Sequence, residues 1–200
     1  AITTGFGVIN NNAKLKKSET VVIYGSGGIG LNMIQAAKVV KAKTIIAVDI
    51  YDKKLLLAKK CGATHTINSL KEKNFRVKLR NILGKKELNV FIDNTGIPKN
   101  IELGYEVISK TGKLILVGVP PKGKKISIYT LPIHFGKKII GSEGGESRPE
   151  KDITKITKII RSNKINIKQL ISKIYKLDNI NEAIQDIRSG NIEGRAIIKL

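Results

Sequence analysis

Val21-Val22-Ile23-Tyr24-Gly25-Ser26-Gly27-Gly28-Ile29-Gly30 is an apolar run delivered straight into a G-x-G-x-x-G turn. An unbroken apolar segment ending in such a turn, with a helix-periodic stretch over 29–41 behind it, predicts a buried strand, a tight turn and a helix. Gly25 and Gly27 let the backbone turn sharply and approach a pyrophosphate. Beyond Gly28 and Ile29, Gly30 lets the helix pack closely on the strand. The helix N-terminus supplies free N–H donors and a partial positive charge for phosphates.

A second apolar run, Thr44-Ile45-Ile46-Ala47-Val48-Asp49, ends on an acid. It falls at the offset of about 20 residues where a carboxylate meets the adenosine ribose of a dinucleotide. A carboxylate accepts from both hydroxyls of an unmodified ribose and repels a 2′-phosphate, so Asp49 favours NAD over NADP. A glycine turn alone is a weak signal, because plain tight turns and flavin or S-adenosylmethionine sites share it. Here the preceding strand, the following helix and the acid agree.

At 200 residues the chain is long enough to bury a proper core. It shows no transmembrane or signal-peptide pattern, and its single cysteine, Cys61, allows neither an internal disulfide nor an all-cysteine metal cage. The expectation is a soluble, cytoplasmic protein without membrane contact. A net charge of +21 raises nucleic acid as a partner. Yet the excess is almost entirely lysine, spread along the chain beside abundant Ile and Asn, as AT-rich codons yield. Aromatic residues make up only 4%, leaving few stacking platforms, so solvated lysine is expected in place of a nucleic-acid face.

Apolar runs alternate with helical patterns, which predicts an α/β fold with a doubly wound parallel sheet. Further helices are expected over 52–61, 72–83 and from Pro98, with strands over 65–68, 90–93, 113–119, 125–130 and 137–141. A helix over 149–161, a strand over 171–177, a helix capped by Asp178 and a strand over 195–200 complete the chain. A soft boundary near Glu146 divides residues 1–146, the Rossmann dinucleotide domain, from a C-terminal extension, 147–200.

With these motifs in place the chain resembles the coenzyme-binding part of a zinc-dependent medium-chain alcohol dehydrogenase. The matching stretches include Thr3-Thr4-Gly5-Phe6-Gly7, Gly25-Ser26-Gly27-Gly28-Ile29-Gly30, Ala47-Val48-Asp49 and Cys61-Gly62-Ala63-Thr64. Leu116-Val117-Gly118-Val119-Pro120, Gly141-Ser142-Glu143-Gly144-Gly145 and Gly194-Arg195 extend the match. The resemblance implies that Thr4 sits beside the nicotinamide and Ile29 supports the ring face away from substrate. It implies that Asp49 binds the adenosine ribose with Lys54 nearby. The backbone at Thr95-Gly96 and Gly118-Val119 would line the nicotinamide half, and Arg195 would reach the pyrophosphate, where its fork suits phosphate oxygens. The plainer roles are a helix cap for Thr4, core for Ile29 and solvated surface for Arg195.

In the family, the catalytic zinc, its ligands and the proton relay lie mainly in a preceding catalytic domain, and this sequence starts where the family is just past them. The resemblance therefore implies a fragment, catalytically inactive alone, whose 147–200 segment would return toward the missing domain. Cys61, His65 and His134 lack metal-ligand spacing, so no metal site and no catalytic residue is assigned within the chain. The expected partners are NAD(H) and, in the full-length enzyme, zinc and a small alcohol or aldehyde. A homodimer is expected through the edge Ile126-Ser127-Ile128. The alternatives are a zinc-free quinone or enoyl reductase domain and a basic nucleic-acid-binding protein on the same scaffold.

Overall fold

The protein, described over residues 1–200 by a computed structural model, is organised around a six-stranded parallel sheet in the order β3-β2-β1-β4-β5-β6. The strands are β1 (Thr20–Tyr24), β2 (Thr44–Asp49), β3 (His65–Asn68), β4 (Val90–Asp93), β5 (Lys113–Leu116) and β6 (Lys138–Gly141). The helices between them are α2 (Gly28–Val39), α3 (Asp52–Cys61), α4 (Phe75–Leu83), α5 (Pro98–Val107) and the short α6 (Leu131–His134). The order reverses between β1 and β4, and in such sheets a crevice opens at the carboxyl ends of the two strands flanking the reversal. The expected α/β doubly wound architecture is therefore present.

Alternation along the strands decides the two faces. Val21 and Ile23 point into one core with Ile45, Ala47, Ile92 and Ile115, closed by Leu31 and Ile34 of α2 and Leu55 of α3. Val22 and Tyr24 point into the other with Ile46, Val48, Phe91 and Leu114, closed by Leu79 of α4 and Ile101 of α5. Full burial of each such side chain contributes about 1.5–3 kcal/mol, which outweighs any local preference of single residues. Helix ends follow local chemistry. The Asn74 side chain accepts from the Val77 N–H at 3.1 Å and opens α4, Pro98 opens α5, and Gly62 at φ +121° closes α3.

Several boundaries differ from expectation. Strand β5 stops at Leu116 instead of residue 119, because the Val117 and Gly118 N–H groups both donate to the Asp93 carbonyl and the chain leaves the ladder. Residues 125–130 form no strand. Ile126 and Ile128 rest on the second core while the Ser127 N–H donates to Glu102 Oε1 at 2.7 Å, so no ladder is built there. Helix α4 begins at Phe75 because its cap is Asn74, three residues past the expected start.

The lead-in forms α1 (Ile2–Gly7), which continues as a π-helical turn over Val8–Asn12. Two glycines in a six-residue helix oppose intrinsic propensity, and packing explains them. A Cβ on Gly5 would lie 2.6 Å from Asn32 Cβ, and one on Gly7 would lie 2.2 Å from the Gly145 carbonyl oxygen. Beyond α7 (Pro149–Arg161), β7 (Ile171–Lys176) and β8 (Arg195–Lys199) pair in parallel as a separate two-stranded sheet. Helix α8 (Ile180–Arg188) packs on it through a small core of Tyr175, Ala183 and Ile192. Ile174, Ile184 and Ile187 of this unit remain exposed.

Candidate functional site

The turn after β1 is shaped by what cannot fit into it. Gly25 has φ +101°, a conformation L side chains rarely adopt, and a Cβ on Gly30 would lie 2.1 Å from the Gly25 carbonyl oxygen. Gly30 therefore lets α2 rest on the end of β1. A Cβ on Gly27, the N-cap of α2, would meet nothing within 4 Å. No side chain caps this helix, so its first N–H groups have no side-chain partner. Backbone donors at an uncapped helix start, with room in front of them, make an anion cradle.

Asp49, at the end of β2, is 9% exposed and is held from two sides. Its Oδ2 accepts from the Ser26 N–H at 2.8 Å and its Oδ1 from the Tyr51 N–H at 3.1 Å. The first bond ties the acid to the glycine turn. Two carboxylate oxygens offer about four acceptor positions, so the remaining lone pairs can receive a pair of hydroxyls.

The third component comes from far away in sequence. A Cβ on Gly28 would lie 2.1 Å from Nε and 2.7 Å from Cζ of Arg195, which places that guanidinium against the first residue of α2. Arg195 opens β8, so the small C-terminal sheet delivers a cation to the glycine turn. The guanidinium makes no ion pair with a carboxylate.

At the carboxyl end of β4 the backbone of Thr95 and Gly96 crosses that of Gly118 and Val119. Gly96 has φ +70° and a Cβ on it would lie 2.5 Å from the Val119 carbonyl oxygen, while one on Gly118 would lie 2.1 Å from the Gly96 nitrogen. Both glycines are dictated by this crossing. The same wall reaches the glycine turn: Asn94 Nδ2 donates to the Gly25 carbonyl at 3.2 Å, and a Cβ on Gly25 would lie 3.1 Å from Thr95 Cγ2.

Direct contacts thus join Gly25, Gly28, Gly30, Asp49, Thr95, Gly96, Gly118, Val119 and Arg195 into one continuous surface at the switch point, with Gly27 open in its middle. Ile29 is half-buried against the first core. Thr4 lies on α1, where its carbonyl would be 2.5 Å from a Cβ on Gly145. Lys54 Nζ is 4.8 Å from the centroid of the Tyr51 ring, and that ring lies against Gly190 just past α8. Sequence reasoning did not single out Asn94, Tyr51 or the two exposed apolar side chains at the rim, Ile50 and Ile97. Their positions immediately after β2 and β4 were the available signal.

No three His, Cys, Asp or Glu side chains converge in a way that could hold a metal ion. Cys61 is buried, burial pushes its thiol up to about 11, and its Sγ accepts from Gln169 Nε2 at 3.4 Å. His65 Nδ1 lies 2.9 Å from Thr64 Oγ1 and His134 is exposed at the end of α6. The side chains present do not supply a zinc site. Clefts of about 570 and 470 Å³ share Arg76 and Glu106, another of about 540 Å³ is lined by Ile108, Leu131 and Phe135, and none of the three includes a residue of the glycine turn.

Comparison with known proteins places the chain in a family. The family model described as zinc-binding dehydrogenase matches residues 28–161. The crystal structure of benzyl alcohol dehydrogenase from Acinetobacter calcoaceticus superposes with a TM-score of 0.92 at 34% identity, over 100% of this chain and 54% of that one. The S-(hydroxymethyl)glutathione dehydrogenase of Paracoccus denitrificans is 30% identical over 197 residues, 94% of this chain and 52% of that protein. A zinc-binding dehydrogenase from Sinorhizobium meliloti 1021, bound to NADP, superposes with a TM-score of 0.77 at 25% identity, covering 92% and 53% of the two chains. The chain spans about half the length of the relatives it matches. It belongs to the zinc-binding dehydrogenase family and corresponds to that family's coenzyme-binding Rossmann domain.

Proposed function

We propose that this chain is the NAD(H)-binding part of an alcohol dehydrogenase acting on a small alcohol or aldehyde. The observation that carries the proposal is the convergence of Asp49, the uncapped start of α2 and Arg195 on one glycine turn. The α2 N–H groups and Arg195 hold the pyrophosphate, and Asp49 receives the adenosine ribose hydroxyls with Lys54 close by. Ile50 offers apolar surface to the adenine end. Thr95, Gly96, Gly118 and Val119 form the wall of the nicotinamide half, with Thr4 and Ile29 on its other sides. When bound, the nicotinamide ring exchanges a hydride at C4.

Asp49 makes NAD the preferred dinucleotide, since a 2′-phosphate placed against an acid already fixed to the turn would be repelled. The Sinorhizobium meliloti neighbour carries NADP, so the preference here rests on Asp49 itself. Titration of the 200-residue chain with NADH and NADPH, followed by nicotinamide fluorescence, tests this. Binding of NADH with weaker NADPH is expected; no NADH binding, or tighter NADPH, overturns it.

Zinc and the substrate pocket belong to sequence outside these 200 residues, and the chain alone is inactive. Residues 147–200 turn toward that further part, which covers the exposed Ile174, Ile184 and Ile187. No helix is long and apolar enough to cross a membrane, and the proposed setting is the cytoplasm. The chain dimerises through the 126–128 segment, next to exposed Tyr129, Leu131 and Phe135. Sedimentation at high concentration checks this, and a monomer would contradict it.

A further inference from the structure

Asp93 is a buried carboxylate that none of the roles above uses. It ends β4, the strand beside β1 at the switch point, and its side chain is wholly inaccessible. No Lys, Arg or His pairs with it. Burying a carboxylate without a counter-charge is costly unless donors converge on it. Three do. Oδ1 accepts from the Thr95 N–H at 3.2 Å and from Thr95 Oγ1 at 2.6 Å, and Oδ2 accepts from the Gly96 N–H at 2.8 Å. Burial raises its pKa above the ordinary carboxylate value, and these bonds offset only part of the rise. Its main-chain carbonyl meanwhile receives the Val117 and Gly118 N–H groups at 2.8 and 3.0 Å.

One residue thus fixes both halves of a crossing, with its side chain on the 95–96 turn and its carbonyl on the 117–118 bend. The crossing has little slack, because Gly96 and Gly118 each lack room for even a methyl group against the other segment. The Thr95 hydroxyl, oriented by its bond to Asp93, also accepts from Asn100 Nδ2 at 3.0 Å and from the Ile97 N–H at 3.2 Å. A carboxylate suits this place because it only accepts. An amide would turn an NH2 group toward one of the three donors and push the turn outward.

The pyrophosphate turn is anchored separately. Gly25 N–H donates to the Val48 carbonyl at 2.8 Å, Ser26 N–H to Asp49, and Asn94 N–H to the Tyr24 carbonyl at 2.9 Å, none of them through the Asp93 side chain. We propose that Asp93 is a positioning residue for the nicotinamide half of the dinucleotide alone, setting the Thr95–Gly96 wall while leaving the adenosine and pyrophosphate half unaffected. This rests on the dinucleotide-binding reading given above.

The test compares two ligands, NADH and ADP, the second lacking both the nicotinamide ring and the ribose that carries it. In Asp93→Asn the affinity for NADH falls by about tenfold or more, the loss expected for a hydrogen bond to a buried charge. Affinity for ADP stays within about twofold of the unaltered chain. Thr95→Val, which removes one donor and keeps the shape, gives a smaller loss in the same pattern and serves if Asp93→Asn does not fold. Equal losses for both ligands, or no loss for either, overturn the positioning role while leaving the dinucleotide reading intact. Failure of the unaltered chain to bind either ligand overturns that reading itself.

Discussion

The guanidinium of Arg195 lies against Gly28, so close that a methyl group on the glycine would sit 2.1 Å from Nε. The contact joins the last strand of the chain to the first turn of α2, and it brings the C-terminal unit to the phosphate cradle. Helix N–H groups and a guanidinium favour the same ligand, a phosphate oxygen.

Removing the cation therefore weakens the whole dinucleotide. Arg195→Ala is expected to lower NADH affinity by about tenfold, and ADP-ribose affinity equally, since both ligands carry the pyrophosphate. Because Arg195 is exposed, the difference shrinks as salt rises. Isothermal titration at low and high salt measures both effects.

Asp49 has two tasks, one toward the turn and one toward the ribose. Asp49→Ser relieves the repulsion of a 2′-phosphate and leaves the Ser26 N–H without its carboxylate partner. NADH affinity is expected to fall about tenfold and the NADH-to-NADPH preference to narrow or invert. Parallel fluorescence titrations read the ratio directly, and an unchanged ratio would remove Asp49 from cofactor choice.

Gly27 and Gly30 differ in what a methyl group would meet, so they separate binding from folding. Gly27→Ala points into open space and is expected to leave the melting temperature nearly unchanged while cutting NADH binding sharply, because the methyl occupies the approach to the helix N–H groups. Gly30→Ala drives a methyl into the Gly25 carbonyl at 2.1 Å. Its expected cost is about 1–3 kcal/mol of stability, a fall of several degrees in melting temperature. Thermal unfolding alongside titration distinguishes the two.

The strands and the glycine turn were legible because their signals are local. Val21 to Tyr24 are apolar on both faces, and Gly25, Gly27 and Gly30 sit at fixed offsets. The α/β architecture and the placing of Gly25 and Asp49 side by side follow from those signals, whereas Thr95 entered only through the family resemblance. The role of Asp93 was not legible: its sequence context reads as the end of a buried strand, and only the crossing of two segments 22 residues apart, Gly96 and Gly118, shows why a carboxylate is there. The 125–130 segment failed for the opposite reason. Its alternating Ile126, Ser127 and Ile128 carry a strand pattern, but a strand exists only where a neighbour pairs with it. The helical lead-in was hidden by Gly5 and Gly7, which oppose a helix locally and are required by packing on α2 and Gly145.

Acid should loosen the C-terminal unit before the main sheet. Lys173 Nζ lies 3.1 Å from Glu182 Oε1 and 2.9 Å from Asp186 Oδ2, and the Tyr175 hydroxyl and Asn191 Nδ2 also donate to Asp186. These bonds, led by the Tyr175 hydroxyl, pull the Asp186 carboxyl down to about 2, and the same cluster raises the Lys173 ammonium above its ordinary range. A depressed carboxylate contributes stability above its unfolded pKa, near 3.8, and loses it as pH falls toward about 2. A raised ammonium contributes below its unfolded value of 10.5 and loses it only as pH climbs through its folded one, so Lys173 plays no part on the acid side. Between these limits, amide exchange in α8 and β7 is expected to accelerate from about pH 4 downward while the β1 and β4 amides stay protected. In Asp186→Asn this acid-dependent step disappears and α8 exchanges faster already at neutral pH. Because β8 carries Arg195, a loosened β7 and β8 pair would also release the cation at Gly28. NADH affinity should therefore drop over the same acid range in the unaltered chain, and Arg195→Ala should show much less of that drop. A drop of the same size in both would place the acid-sensitive group elsewhere in the site.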